Sequence, residues 1–146
     1  MTVYLDTSAL VKLYYPEPES ALVAELVRRE RSAIPLTPLH ELELANALAL
    51  KCFRKEIDAA TFRKIGALIV DDISVGVTRR LQMNLATLFS ESAGLARSLT
   101  SRLGCRSLDL LHVCAAQLCG YKRFLTFDDK QMATAVGAGL TLVRLE

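Results

Sequence analysis

Among 146 residues there are four cysteines, Cys52, Cys105, Cys114 and Cys119, and no two of them form a C-x-x-C pair. That spacing excludes a zinc-ribbon or dithiol redox motif and argues against a disulfide framework. Cys114 and Cys119 lie in an apolar run with Ala115, Ala116 and Leu118, which reads as reduced thiols in a core, in a reducing compartment. No basic segment leads into a long apolar one, and no apolar run is long enough to span a bilayer. The expectation is a cytoplasmic protein with no membrane contact. A glycine-rich phosphate loop of the Walker or dinucleotide type is missing, which removes nucleotide binding by that route. No Ser/His/Asp or Cys/His arrangement stands out, and the two histidines, His40 and His112, are far apart in sequence. A strong charge of one sign is missing too. Eighteen basic residues against 16 acidic give a net charge of +2, far weaker than a dedicated nucleic-acid binder shows. Gly/Ser linkers, internal repeats and low-complexity segments are absent.

What is present is an apolar, ordered chain, 51% hydrophobic with mean hydropathy +0.27. Its length suits one domain, residues 1–146, with a real core and apolar surface to spare for a partner. Val3 and Leu5 alternate with Tyr4 and Asp6 as a strand requires, and Ala9, Leu10 and Leu13 then fall at helical spacing. Pro16 and Pro18 end that first helix, and a second follows over about 20–29. Residues 33–36 read as a second strand. Thr37-Pro38 opens a helix to about Arg54 whose apolar positions run nearly all the way round, which predicts a largely buried helix. A fourth helix covers about 59–70. Ile73, Val75 and Val77 alternate as a third strand, and Leu81 to Leu103 reads as a long helix broken near Gly94. Ser107 opens another helix to Leu118, and 123–127 form a strand. Asp128 opens the last helix, to about Val136, and 140–143 form the last strand. This alternation implies an α/β fold with a mainly parallel sheet covered on both faces.

Four acids then stand out. Asp6 and Asp128 each follow a strand directly and precede a helix, the position where open α/β sheets bind ligands. Each could instead merely cap its helix. Asp109 lies in the first turn of its helix among Leu108, Leu110 and Leu111, where dipole complementarity competes with a functional role. Glu43 lies inside the apolar helix between Leu42 and Leu44, where an unpartnered carboxylate is costly and a nearby cation removes that cost. Glu41 competes with it on the same helix, although its place near the helix start suits a dipole role. Four acids on separate elements, without soft ligands, suit Mg²⁺ or Mn²⁺ and not zinc.

These residues, as a set, resemble the PIN-domain ribonucleases, in particular the VapC-type toxins of bacterial toxin–antitoxin pairs. The likeness runs the whole length. It opens with Val3-Tyr4-Leu5-Asp6-Thr7-Ser8-Ala9-Leu10-Val11-Lys12-Leu13-Tyr14 and continues at Glu43-Leu44-Ala45-Asn46-Ala47-Leu48. Ser107-Leu108-Asp109-Leu110-Leu111-His112 and Leu125-Thr126-Phe127-Asp128 complete it. The resemblance implies a PIN-like three-layer α/β/α fold with five short, mainly parallel strands. It implies that Asp6, Glu43, Asp109 and Asp128 converge at one end of the sheet, bind Mg²⁺ or Mn²⁺ and carry catalysis. Thr7, Ser8 and Thr126 would be supporting polar or phosphate-contacting groups. A homodimer, an RNA substrate and a cognate antitoxin protein are implied in the same way.

The implied reaction is hydrolysis of an RNA phosphodiester, in which a metal-bound water is the nucleophile and no covalent enzyme intermediate forms. Arg54, Lys55, Arg79, Arg80, Arg102, Arg106, Lys122 and Arg123 are candidates for phosphate contacts, and a solvated face is the plain alternative. His112, one turn after Asp109, could touch the site or serve as a satisfied core histidine. The rival within the family is a catalytically weak PIN module acting by RNA or protein binding, whose sign would be loss of an acid. A phospho-accepting receiver domain fails because Thr78, Arg79 and Arg80, not an acid, follow the third strand. An aspartate-nucleophile phosphatase fails because position 8 is Ser8.

Overall fold

The computed structural model describes residues 3–146. Strand β1 (Val3–Leu5) leads into α1 (Thr7–Leu10) and a 3-10 turn (Val11–Leu13), then α2 (Ser20–Glu30) and β2 (Ile34–Leu36). After α3 (Pro38–Phe53) and α4 (Ala59–Ser74) come β3 (Thr78–Arg80), α5 (Leu85–Leu103) and α6 (Ser107–Leu118). The chain closes with β4 (Arg123–Leu125), α7 (Asp129–Gly137) and β5 (Thr141–Leu142). Every strand pairing is parallel, as the alternation of strands and helices requires.

The strands form two ladders, β1-β4-β5 and β2-β3, with β1 beside β2. Two residues explain why no ladder joins β1 to β2. Pro35, in the middle of β2, has no N–H to give. The Asp6 N–H bonds Leu125 on the β4 side, so the Leu5 carbonyl faces β2, and there it accepts from His40 Nε2 at 2.7 Å.

Alternation along the strands sends side chains to two cores. Tyr4 and Phe124, both fully buried and stacked with ring centroids 5.3 Å apart, join residues of α5, α6 and α7. Val3, Leu5 and Leu125 point the other way, onto Ala9 and Val23. A third cluster joins Leu10, Ile34 and Leu36 to Leu44, Leu48 and Ile65 of α3 and α4. Helices therefore cover both faces of the parallel strands. Among the described residues no helix is long and apolar enough to cross a membrane.

Three sequence expectations are corrected. The third strand is 78–80, not 73–77, because Ile65, Ile69 and Ile73 keep a four-residue repeat onto the core and carry α4 on to Ser74. Gly76, at φ 82°, then turns the chain, and Val75 is left largely exposed. Second, α5 starts at Leu85, capped by Asn84, and runs unbroken through Gly94, a residue whose cost of about 1 kcal/mol a long helix absorbs. Third, α3 buries one face only. His40, Leu44 and Leu48 are buried, whereas Leu42 is 68% and Phe53 83% exposed.

Candidate active site

Each of the four acids sits at a local structure that fixes its position. Asp6 ends β1 in an extended conformation and caps α1, its Oδ1 accepting from the Ala9 N–H at 3.1 Å. The Ser8 hydroxyl donates to the same oxygen at 2.6 Å, and the Thr126 hydroxyl donates to Oδ2 at 2.5 Å. Thr126 follows β4, and its oxygen also accepts from the Asp128 N–H, while Ser8 accepts from the Phe127 N–H. Two hydroxyls thus join the ends of β1 and β4 around one carboxylate. Asp6 is only 5% exposed, and burial pushes its carboxyl above the ordinary aspartate value against the pull of those hydroxyls.

Glu43 projects from α3 and is half-buried, so the deeply buried carboxylate expected there is instead Asp6. Its Oε1 accepts from Thr7 at 2.9 Å and from His112 Nε2 at 2.5 Å. Partial burial alone would raise its pKa, but these donors outweigh it and hold the group below the ordinary glutamate value. The Tyr4 hydroxyl lies 2.9 Å from His112 Nδ1. Burial keeps that phenol protonated, and the Glu43 carboxylate, which only accepts, sets a proton on His112 Nε2. Glu41 points away, held by Arg80 at 2.6 Å.

Asp109, in the first turn of α6, is buried and accepts from Arg106 Nε at 2.6 Å. Asp128 caps α7, accepting from the Gln131 N–H, and pairs with Arg106 through Nη2 at 2.8 Å. The guanidinium beside it, more than its cap, holds the Asp128 carboxyl below the ordinary value.

All four acids line one cleft of about 380 Å³, together with Thr7, Ser8, Arg106 and His112. Glu41 is not among its lining residues. Of the eight basic candidates, Arg106 alone lines the cleft among the described residues, and Arg80 and Arg123 are committed to Glu41 and Glu30 elsewhere. Arg106 stands three residues before Asp109 at a helix start, an (i, i+3) spacing that was visible in the sequence. Its reach to Asp128 was not.

The donors suit a hard divalent ion: carboxylates and hydroxyls face the cleft, and no cysteine lines it. Among the described residues, no three acids, histidines or cysteines stand arranged so as to hold a metal ion. Glu43, Asp109 and Asp128 are each engaged by neighbours through one oxygen, and Asp6 through both, so a metal held here would share these carboxylates with their protein partners or displace them.

A parallel α/β fold with polar chemistry gathered at the carboxyl ends of β1 and β4 defines an α/β protein with a switch-point site. The chain belongs to the PIN domain family, whose model matches residues 3–137. Its fold is similar to the crystal structure of VapC20 from Mycobacterium tuberculosis, a sarcin-ricin loop cleaving toxin. The two share 15% identity and a TM-score of 0.71, over 98% of this chain and 99% of that one. FitAcB from Neisseria gonorrhoeae is similar at 13% identity and a TM-score of 0.62, over 98% and 97%. At these identities the likeness is one of fold. No curated protein matches the sequence at a significant level.

Proposed function

We propose that the chain is a Mg²⁺- or Mn²⁺-dependent endoribonuclease, the toxin of a type II toxin–antitoxin pair, working in the cytoplasm as a single PIN-like domain. One observation carries this reading: Asp6, Glu43, Asp109 and Asp128, from four separate elements, face one cleft at the strand ends. The structural neighbour that cleaves the sarcin-ricin loop favours RNA as the substrate.

Asp6, Glu43 and Asp109 would be the primary ligands, and Asp128 would hold a second ion or orient the water. A bound divalent ion supplies a water of lowered pKa and neutralises charge on the attacked phosphate. The protein's own part is orientation. Ser8 and Thr126 hold the Asp6 carboxylate from two sides, and Thr7 and His112 hold Glu43. Leu42, Phe53 and Phe89 leave apolar surface exposed for a second copy of the chain and for the cognate antitoxin.

A second reading has its own observation: Arg106 already neutralises Asp109 and Asp128, as a binding module without metal would require. RNA cleavage separates the two. Purified protein freed of antitoxin is expected to cut RNA with Mg²⁺ or Mn²⁺ and to stop with EDTA. Asp6→Asn and Glu43→Gln should be inactive and Glu41→Gln active. RNA binding without cleavage in either metal would favour the binding module.

A further inference from the structure

The guanidinium of Arg106 spans two acids on different helices. Nε bonds Asp109 Oδ2 at 2.6 Å and Nη2 bonds Asp128 Oδ1 at 2.8 Å. Like charges in a shared cleft repel, and this cation lowers the cost. An arginine side chain cannot escape a second cation by losing its proton, so an ion that takes Asp109 Oδ2 and Asp128 Oδ1 must displace it. Arg106 is able to move. It is 49% exposed, it stands at the N-cap of α6 without a side-chain cap bond, and among the described residues its side chain pairs with these two acids alone. Its flat fork of donors fits two oxygens of a phosphate as well as it fits carboxylates.

We propose that Arg106 competes with a divalent cation for Asp109 and Asp128 and, once displaced, grips a phosphate of the RNA strand at the cleft mouth. Metal loading and substrate binding are thereby linked: the ion that takes the carboxylates releases the side chain that holds the substrate. Asp109, buried beneath Arg106, and Asp128, half-exposed beside it, are the two ends of this exchange. The inference rests on the metal-dependent ribonuclease reading.

The test compares wild type, Arg106→Gln, Arg106→Lys and Asp6→Asn by Mn²⁺ titration calorimetry and by cleavage of a labelled RNA hairpin. Circular dichroism establishes that each variant is folded. Arg106→Gln should bind Mn²⁺ about 3- to 10-fold more tightly, the range that two partly exposed ion pairs span. Its KM for RNA should rise about tenfold, the loss of one charge-assisted contact, with kcat much less affected. Arg106→Lys keeps the charge and loses the fork, so it should bind Mn²⁺ like wild type while its KM stays raised. Unchanged or weaker Mn²⁺ binding by Arg106→Gln, beside wild-type binding that Asp6→Asn abolishes, overturns the exchange and leaves the ribonuclease reading intact. Absence of any binding sensitive to Asp6→Asn overturns both.

Discussion

Tyr4 lies on the opening strand and His112 in the middle of α6, yet the phenol of one is the partner of the other's Nδ1. With the Tyr4 hydroxyl on Nδ1 at 2.9 Å, the imidazole presents Nε2–H to Glu43. Tyr4→Phe removes that donor and leaves a buried ring nitrogen unmatched. A loss of about 1–3 kcal/mol in urea unfolding is expected. The ring that donates to Glu43 then loses the hydroxyl that holds its other nitrogen. Mn²⁺ affinity should fall as well, by up to about 10- to 100-fold if Glu43 is a ligand, which calorimetry would read.

Thr126 is a joint between two acids, since one oxygen donates to Asp6 and accepts from the Asp128 N–H. Thr126→Val keeps the shape and loses both bonds. Activity should drop about 10- to 100-fold, and stability by about 1–3 kcal/mol, because Asp6 Oδ2 and the part-buried Asp128 N–H lose this partner. Cleavage rates beside thermal melts check both. Full activity in the valine variant would show that the hydroxyl does not set the geometry of Asp6.

His40 gives the fold a pH dependence. Its Nδ1 accepts from the Thr37 N–H at 3.0 Å, and its Nε2 donates to Leu5. Burial, aided by the nearby His112, pushes its pKa down to about 3. The folded value lies below the unfolded one, near 6.5, so the unfolded chain binds the proton first. The neutral ring's stabilisation is complete above pH 6.5 and is lost progressively as pH falls toward 3. Denaturation midpoints across that window should decline in wild type. His40→Asn should remove His40's share of the decline at the expense of a lower plateau. An unaltered slope in the variant would exclude His40 as a source.

The two faces of α3 make opposite predictions. Leu48 is buried, so Leu48→Ala should cost about 2–5 kcal/mol. Leu42 and Phe53 are exposed, so Leu42→Ser and Phe53→Ser should leave monomer stability within about 0.5 kcal/mol. If this face joins two copies, light scattering should show the serine variants shifted toward monomer.

The start of α3 was legible because its signals are local. Thr37 accepts from the His40 N–H and Pro38 opens the helix. Asp6 and Asp128 were ambiguous between caps and cleft residues, and both readings hold at once, because a strand end that starts a helix turns the capping carboxylate toward the cleft. The end of α4 was misread because Ile73, Val75 and Val77 fit period two over a few residues, and only the core contact of Ile73 reveals the helix. Burial of Glu43 was overestimated for a related reason. Leucines on both sides of a helix say that apolar surface exists, not that another element covers it. The contacts of Arg106 with Asp128 and of Tyr4 with His112 span long stretches of chain, and no local pattern announces them.

Because Asp6 and Asp128 cap helices with the same carboxylates that face the cleft, asparagine, also a good cap, can replace either with little harm to the helix start. An aspartate codon becomes an asparagine codon by one base change. Under the proposed toxin reading, silencing in a population selected for escape is therefore within a single mutational step that leaves the protein folded. Survivors should carry Asn at 6 or 128 and still produce full-length protein, visible by blotting. Glu43 caps no helix, so its replacement has no such structural alibi.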